Sequence, residues 1–408
     1  MDRETEKTIR IIPSKSYAHR AYICDFLAGG NGEGVACDLD SEDIMATRSC
    51  LSGLGCTSAV IDARESGSTL RFILPLSGVL GKSVSIRTRG RLSDRPMGPF
   101  EEELVSHGMK IEHLSDGIIK TSGKLMPGEY RLPGSISSQF ITGLLLSLPY
   151  LDGDSRILLT SELQSSAYVD ITIDVLKEYW IRIENSSGDG HGGFLIRGRQ
   201  KYHRDKHYTV EGDWSQAAFW LTAGAIGEIP VRVTGLNLDS VQGDRKIIDV
   251  LRTFGAEIKE CREDDGTSVT AYPSDLTGAV VDVSGIPDLA PAIACAGAAS
   301  SGETKLINAG RLRLKESDRI KSITACLNDV GVKALEREDE IIIEGGGSPQ
   351  GGAAETSGDH RIVMMAAVLS LITSDKVKIE GSGAVSKSYP TFFKELEQAG
   401  LSGNIILS

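Results

Sequence analysis

Six stretches of this chain begin on small or polar residues and run straight into an apolar helix. They are PSKSYAHRAYICDFLA from residue 13, ESGSTLRFILPLSGVL from 65, PGSISSQFITGLLLSLPYL from 133, EGDWSQAAFWLTAGAI from 211, SGIPDLAPAIACAGAA from 284 and SGDHRIVMMAAVLSLI from 357. Each predicted helix is apolar on nearly all sides, the pattern of a helix enclosed by protein. Further along each unit comes a second, amphipathic helix with a shared ending: MATRSCLSGLG, FEEELVSHGM, TIDVLKEYWI, IDVLRTFGAEI, ITACLNDVGV and FKELEQAGL. Gly55, Gly108, Gly255, Gly331 and Gly400 stand at the stop, where a left-handed C-cap favours glycine. The remaining ending carries Trp180. A left-handed residue other than glycine costs about 1–2 kcal/mol, so a different helix ending is expected there.

Short alternating or β-branched segments separate the helices: SVSIRTRG, GIIKTSG, RILLTS, VRVTG, EIIIEGG and KVKIEGS. The chain therefore reads as an α/β protein built from six copies of one unit, with one helix of each copy in the interior and the strands covering it outside. The copies fall into three and three. The basic stretch GRQKYHRDKHY, residues 198–208, reads as the crossover between two domains. The glycine clusters SGDGHGG (187–193) and GGGSPQGG (345–352) read as hairpin or loop tips. A length of 408 residues suits two cores better than one.

Apolar content of 40% and charged content of 25% belong to a soluble globular protein. The start, MDRETEKTIR, is charged where a secretory leader is apolar. No run reaches the roughly 18 apolar residues of a membrane span. Seven cysteines without paired spacing point to reduced thiols and a cytoplasmic protein. A net charge of −12 argues against nucleic acid or an anionic membrane as partner.

Against that acidic background, the placing of the cations is informative. Lys15 and Arg20 lie in the first copy, Arg71 in the second and Arg361 in the sixth. The loop motifs GRLSDRPMG, GRLRLKESDR and SKSYP add Arg95, Lys315, Arg319 and Lys387. Lys15 with His19, and Lys315 with Arg319, stand four apart. On one helical face such like charges destabilise by about 0.2–0.5 kcal/mol per pair, a cost that a bound anion would remove. Helix starts offer free N–H groups to anions, and Gly67, Ser68, Ser137, Ser138 and Asp288 stand at such starts. Taken alone, KESDR reads equally as a solvated helix face and SSQ as an ordinary N-cap. Their matching places in the repeat favour an anion-binding gap shared by the two domains. Asp288 and Glu316, carboxylates set among cations, suit acid–base work or simple charge balance. His203 and His207 have zinc-like spacing but no supporting HExxH or cysteine pair, so no metal is expected. There is no P-loop and no GxSxG elbow.

In order, PSKSxxxR, SGSTLR, DRPMG, GSISSQF, SxxY at 165–168, VEGDWS, IPD, KESDR, DHR and KSYP cover essentially the whole chain. On these motifs the sequence resembles the 5-enolpyruvylshikimate-3-phosphate synthase family of enolpyruvyl transferases. The resemblance implies two similar domains, each of three βαβαββ units with buried parallel helices and sheets outside, an inside-out α/β barrel. Residues 1–13 with 209–408 would form one domain and residues 14–208 the other, closing on ligand.

The resemblance also implies an activity: transfer of the enolpyruvyl group of phosphoenolpyruvate to the 5-hydroxyl of shikimate 3-phosphate, with release of phosphate. Ser16, Arg20, Ser137, Ser138, Ser165 and Lys315 would hold the shikimate ester. Gly67, Arg95, Arg319, Arg361 and Lys387 would hold phosphoenolpyruvate, and Lys15 and Gln139 would touch both. Asp288 would take the proton from the 5-hydroxyl and Glu316 would protonate the methylene carbon, with Lys15 completing the catalytic set. No cofactor and no metal are implied, and a monomer is expected. The chain departs from the family pattern at Glu65, Ser166 and Arg311, and Trp180 and Trp214 are unusual in their motifs. The sister family acting on a UDP-N-acetylsugar uses a Lys-Asn pair where this chain has Lys15-Ser16. A non-catalytic ligand carrier would have no need of Asp288 and Glu316.

Overall fold

The computed structural model describes residues 6–55, 60–186, 191–263, 266–402 and 404–408. In chain order its helices are α1 (Lys15–Leu27), α2 (Glu42–Leu54), α3 (Gly67–Val79), α4 (Gly98–Ser106), α5 (Ser138–Ser147), α6 (Ala167–Glu178), α7 (Trp214–Ile226), α8 (Ile247–Thr253), α9 (Ala290–Ala299), α10 (Arg319–Asp329), α11 (His360–Leu369) and α12 (Phe392–Gln398). The chain divides into two compact units, Pro13–Val210 and a second made of Met1–Ile12 with Glu211–Ser408. Tyr208–Thr209 pairs in parallel with Val35–Ala36, which keeps it in the Pro13–Val210 unit.

Four sheets repeat one topology. In the Pro13–Val210 unit, Val60–Arg64 pairs in parallel with Val84–Thr88, then Ile118–Gly123 and Met109–Leu114 follow antiparallel. Glu129–Pro133, Ser155–Ser161, Gly193–Ile196 and Ile183–Ser186 repeat that order. In the other unit the same arrangement recurs over Lys7–Arg10, Val231–Thr234, Gly266–Tyr272 and Glu257–Glu263, and over Val280–Asp282, Gly302–Ile307, Glu340–Gly345 and Lys333–Glu336. Gly352–Glu355, Val377–Glu380 and Ile405–Leu407 form an all-parallel sheet.

A parallel pair needs a crossover, and the apolar helices supply it. Helices α3, α5, α9 and α11 each join two parallel strands. In α7 every residue from Trp214 to Ala225 is buried, and α7, α9 and α11 pack on one another. The strands alternate, as Val377–Glu380 does, with one face buried and the other toward solvent. Trp214 is 0% exposed and donates Nε1–H to the Asn237 carbonyl at 3.0 Å, so this unusual residue fills the core with its polar atom satisfied.

The helix endings require two corrections. Gly108, Gly255, Gly331 and Gly400 are left-handed, with φ between 71° and 101°. Gly55 is right-handed at φ −67°. Trp180, in contrast, does adopt the left-handed conformation, at φ 64°. It keeps the hydrogen bonds of the glycine endings. Trp180 N donates to Lys177 O and Ile181 N to Leu176 O, as Gly331 N does to Asn328 O and Val332 N to Leu327 O. Burial of Ile181 holds this closure, and the tryptophan, 61% exposed, is carried into the strained region with its ring against His203. Trp180→Gly is therefore expected to stabilise the Pro13–Val210 unit by about 1 kcal/mol. A urea midpoint that stays or falls would refute the strain.

Residues 187–190 of the first glycine cluster, the start MDRET and Cys56 lie outside the described residues. The cluster 345–352 links two different sheets. The six described cysteines are free thiols.

Candidate active site

Within Pro13–Val210 the basic start of α1 is held by tertiary partners. Lys15 Nζ donates to Asp43 Oδ2 at 2.7 Å, pairing α1 with α2. Arg20 is buried, and its hydrogen-bond partners are all neutral oxygens: Thr172 Oγ1 (2.8 Å), Ser16 O (2.6 Å), Tyr168 O (2.9 Å) and Thr142 Oγ1 (3.4 Å). Its guanidinium also stacks on Phe72. Burial lowers the Arg20 pKa to about 10, which leaves it a cation at neutral pH. A buried charge among neutral dipoles favours an incoming anion.

The start of α3 forms a second focus. Ser66 caps the helix by accepting from Thr69 N. A side chain on Gly67 would put its Cβ 2.5 Å from Arg71 Nη1 and 2.6 Å from Arg95 Nη1, so the glycine is what lets both guanidiniums converge. Arg71 Nη1 donates to Gln139 Oε1 at 2.9 Å, and Gln139 Nε2 donates to Ser68 Oγ at 2.9 Å. Ser137 caps α5 by accepting from Gln139 N. Ser138, the first residue of α5, is buried. Ser165 precedes α6 in a left-handed conformation, φ 55°, and Ser166 follows it at the N-cap. Glu65 lies against Gly90, at the turn Gly90–Asp94 that leads to Arg95.

Within Glu211–Ser408, Asp288 collects three cations. Its Oδ1 accepts from Lys315 Nζ (3.3 Å) and Arg319 Nη1 (2.9 Å), and its Oδ2 from Arg361 Nη2 (3.0 Å). Arg361 also donates to the Asp288 carbonyl and to Ser215 Oγ. Arg319 donates to Glu316 Oε2 at 2.6 Å and to Asp359 Oδ2 at 2.8 Å, so one guanidinium joins Asp288, Glu316 and Asp359. Asp359 caps α11 through Arg361 N. Lys387 Nζ donates to Gly358 O at 3.0 Å, just before that cap. The adjacent Tyr389 is buried and accepts from Trp220 Nε1, which anchors the SKSYP loop.

Burial works against ionisation of Asp359, but Arg319 and His360 outweigh it and hold the carboxyl below its usual range. Burial lowers the Lys315 pKa, partly offset by Asp288 and deepened by the nearby charges of Arg319 and Arg311. Asp244, on the turn Gly243–Lys246, is pushed up to about 7 by burial first and then by the charge of Asp288.

Two expected like-charge pairs do not form on a helical face. His19 is buried and stays neutral, its pKa forced down first by burial and then by Lys15 and Arg20. Lys315 lies before α10, which starts at Arg319 under the Asp318 cap. Asp43 and Asp244 carry no distinguishing signal in their local sequence, whereas Asp359 stands in the DHR motif. His203 Nε2 pairs with Asp205 Oδ1 at 3.1 Å. Among the described residues no group of three or more His, Cys, Asp or Glu is placed to hold a metal ion, and no helix is long and apolar enough to cross a membrane.

Residues 2–396 match the family model described as EPSP synthase (3-phosphoshikimate 1-carboxyvinyltransferase). The 3-phosphoshikimate 1-carboxyvinyltransferase of Clostridium kluyveri is 40% identical, covering 97% of this chain and 95% of its own. That of Clostridium novyi is also 40% identical, over 97% and 96%. Among solved structures, EPSP synthase from Acinetobacter baumannii superposes with a TM-score of 0.77 at 23% identity, covering 98% of this chain and 96% of that one. The enolpyruvyl transferase NikO from Streptomyces tendae gives 0.74 at 17% identity, covering 96% and 94%. These two share the α/β fold. By family model and by close relatives over nearly its full length, the chain belongs to the EPSP synthase family.

Proposed function

We infer that this chain is a 3-phosphoshikimate 1-carboxyvinyltransferase of the shikimate pathway, which leads to the aromatic amino acids. It transfers the enolpyruvyl group of phosphoenolpyruvate to the 5-hydroxyl of shikimate 3-phosphate and releases phosphate. The observation that carries the chemistry is Arg319, which ties the carboxylates of Asp288 and Glu316 to one guanidinium beside Lys315 and Arg361. A carrier of phosphorylated ligands would not need this acid–base pair.

Asp288 removes the 5-hydroxyl proton, and the oxygen bonds to C2 of phosphoenolpyruvate. Glu316 gives a proton to C3, completing a tetrahedral adduct. Loss of a C3 proton then restores the double bond as the C2–O bond to phosphate breaks. Ser16, Arg20, Ser137, Ser138, Ser165 and Lys315 hold the shikimate ester, in line with the uncompensated buried charge of Arg20. Gly67, Arg95, Arg319, Arg361 and Lys387 hold phosphoenolpyruvate, with Lys15 and Gln139 contacting both. Positioning and charge neutralisation supply most of the rate, and the reaction as written uses no cofactor.

The finer fold reading is that the two units, residues 1–12 with 211–408 and residues 13–210, are domains of three βαβαββ units, inside-out α/β barrels with parallel helices inside; the domain bounds expected from the sequence shift by one to two residues. The recurring sheet order supports it. We take the protein to work as a cytoplasmic monomer.

A coupled assay for phosphate tests the reaction. Release is expected only when phosphoenolpyruvate and shikimate 3-phosphate are both present. Release with a UDP-N-acetylsugar and none with the shikimate ester would overturn the reading.

A further inference from the structure

His19 stands between Ser16 and Arg20 in the helical stretch of PSKSYAHR, and the proposed chemistry gives it no task. It is buried on α1, one turn beyond Lys15, with its ring edge-on to Phe72. Its Nδ1 lies 2.7 Å from Thr47 Oγ1 on α2. Thr47 Oγ1 lies 2.7 Å from Thr69 Oγ1 on α3. Thr69 Oγ1 in turn donates to Ser66 Oγ at 2.8 Å and leans on the Asp43 carbonyl at 3.4 Å.

This chain of bonds has a direction. A threonine hydroxyl has a single proton to give. Thr69 gives its proton to Ser66 at 2.8 Å, with the Asp43 carbonyl a longer 3.4 Å away, so toward Thr47 it accepts. Thr47 must then accept from His19, which puts the imidazole proton on Nδ1 and leaves Nε2 a bare acceptor. Among the described residues Nε2 is buried with no hydrogen-bond partner. Burial and the neighbouring Lys15 and Arg20 keep the ring neutral, so it acts as a donor and not as a charge.

The relay ends on the two elements that hold the anion machinery of this unit. Ser66 is the cap immediately before Gly67, where Arg71 and Arg95 converge. Asp43, whose carbonyl is the other terminus, holds Lys15 with its carboxylate. We propose that His19, through Thr47 and Thr69, is a positioning residue that fixes the start of α3 against Lys15 and so sets the affinity for phosphoenolpyruvate. The proposal rests on the reading of the site given above.

The test compares His19→Leu, which fills the space without a donor, His19→Asn, which offers an amide N–H to Thr47, and Thr47→Val, which keeps the shape and loses the hydroxyl. Phosphate release gives KM for each substrate and kcat, calorimetry gives phosphoenolpyruvate binding in the presence of shikimate 3-phosphate, and thermal melts report stability. His19→Leu and Thr47→Val are expected to raise KM for phosphoenolpyruvate about tenfold, some 1.4 kcal/mol. KM for shikimate 3-phosphate and kcat should stay within threefold, and His19→Asn should stay within threefold of the native protein throughout. Native phosphoenolpyruvate affinity in His19→Leu and Thr47→Val would overturn the proposal. So would equal losses for both substrates that follow the melting temperature and are not rescued by asparagine. A native protein that releases no phosphate from the pair would overturn the assigned reaction instead, and the calorimetric constants alone would then decide the relay. Should His19→Leu fail to fold, Thr47→Val carries the same prediction.

Discussion

Arg319→Met is expected to destabilise the Glu211–Ser408 unit by about 3–5 kcal/mol and to abolish phosphate release. The guanidinium is 1% exposed and bonds to three carboxylates. Methionine fills much of its volume but leaves Asp359, 0% exposed, buried without its cation. Asp359 would then take up a proton or draw in water, and its cap on α11 would weaken. Glu316 and Asp288 would lose their shared tether. Arg319→Lys keeps a charge but cannot reproduce the planar fork of bonds, so it should recover part of the stability and little of the activity. Urea unfolding measures the first effect and the coupled phosphate assay the second. A Met variant within about 0.5 kcal/mol of the native protein, inside the range of ordinary surface substitutions, would show that the three carboxylates do not depend on this residue.

Asp288→Asn is expected to slow phosphate release by about 10²–10⁴, the range that a positioned acid or base contributes. Asparagine has nearly the same shape: its one side-chain oxygen can still accept from Lys315 and Arg319, and its backbone carbonyl from Arg361, which loses only the bond to Oδ2, so the fold around these cations should hold. What it lacks is the ability to take the proton of the 5-hydroxyl. Calorimetry should find shikimate 3-phosphate bound within about tenfold of the native affinity (about 1.4 kcal/mol), so the loss should fall on kcat. A variant with native kcat would remove Asp288 from the proton transfer and reduce its role to balancing charge.

Much of the architecture was legible before any coordinates. Apolar residues on every side of the helices at 67, 214, 290 and 360 left no surface for them to lie on, and α3, α7, α9 and α11 are buried nearly throughout. The motif order from PSKS to KSYP placed the basic residues at helix starts and in loops. The helix endings were less legible. Trp180 was expected to avoid the left-handed region, yet the capping bonds and the burial of Ile181 outweigh its local preference. Lys315 was placed on a helix it precedes, because the Asp318 cap that starts α10 outranks the spacing of KESDR. His19 was counted with the cations, because a residue's neutrality depends on what buries it.

The order of residues along the chain determined the repeat, the interior helices, the aliphatic cores and the set of charged groups available for chemistry. Which carboxylate meets which cation was decided by the tertiary structure. Lys15 and Asp43 are 28 positions apart, Arg319 and Asp359 are 40, and Arg361 and Asp288 are 73. No helical or strand period reaches across such separations. The pairs form because tertiary packing brings distant helix starts and turns together, and a partly buried charge there is stabilised by an opposite one.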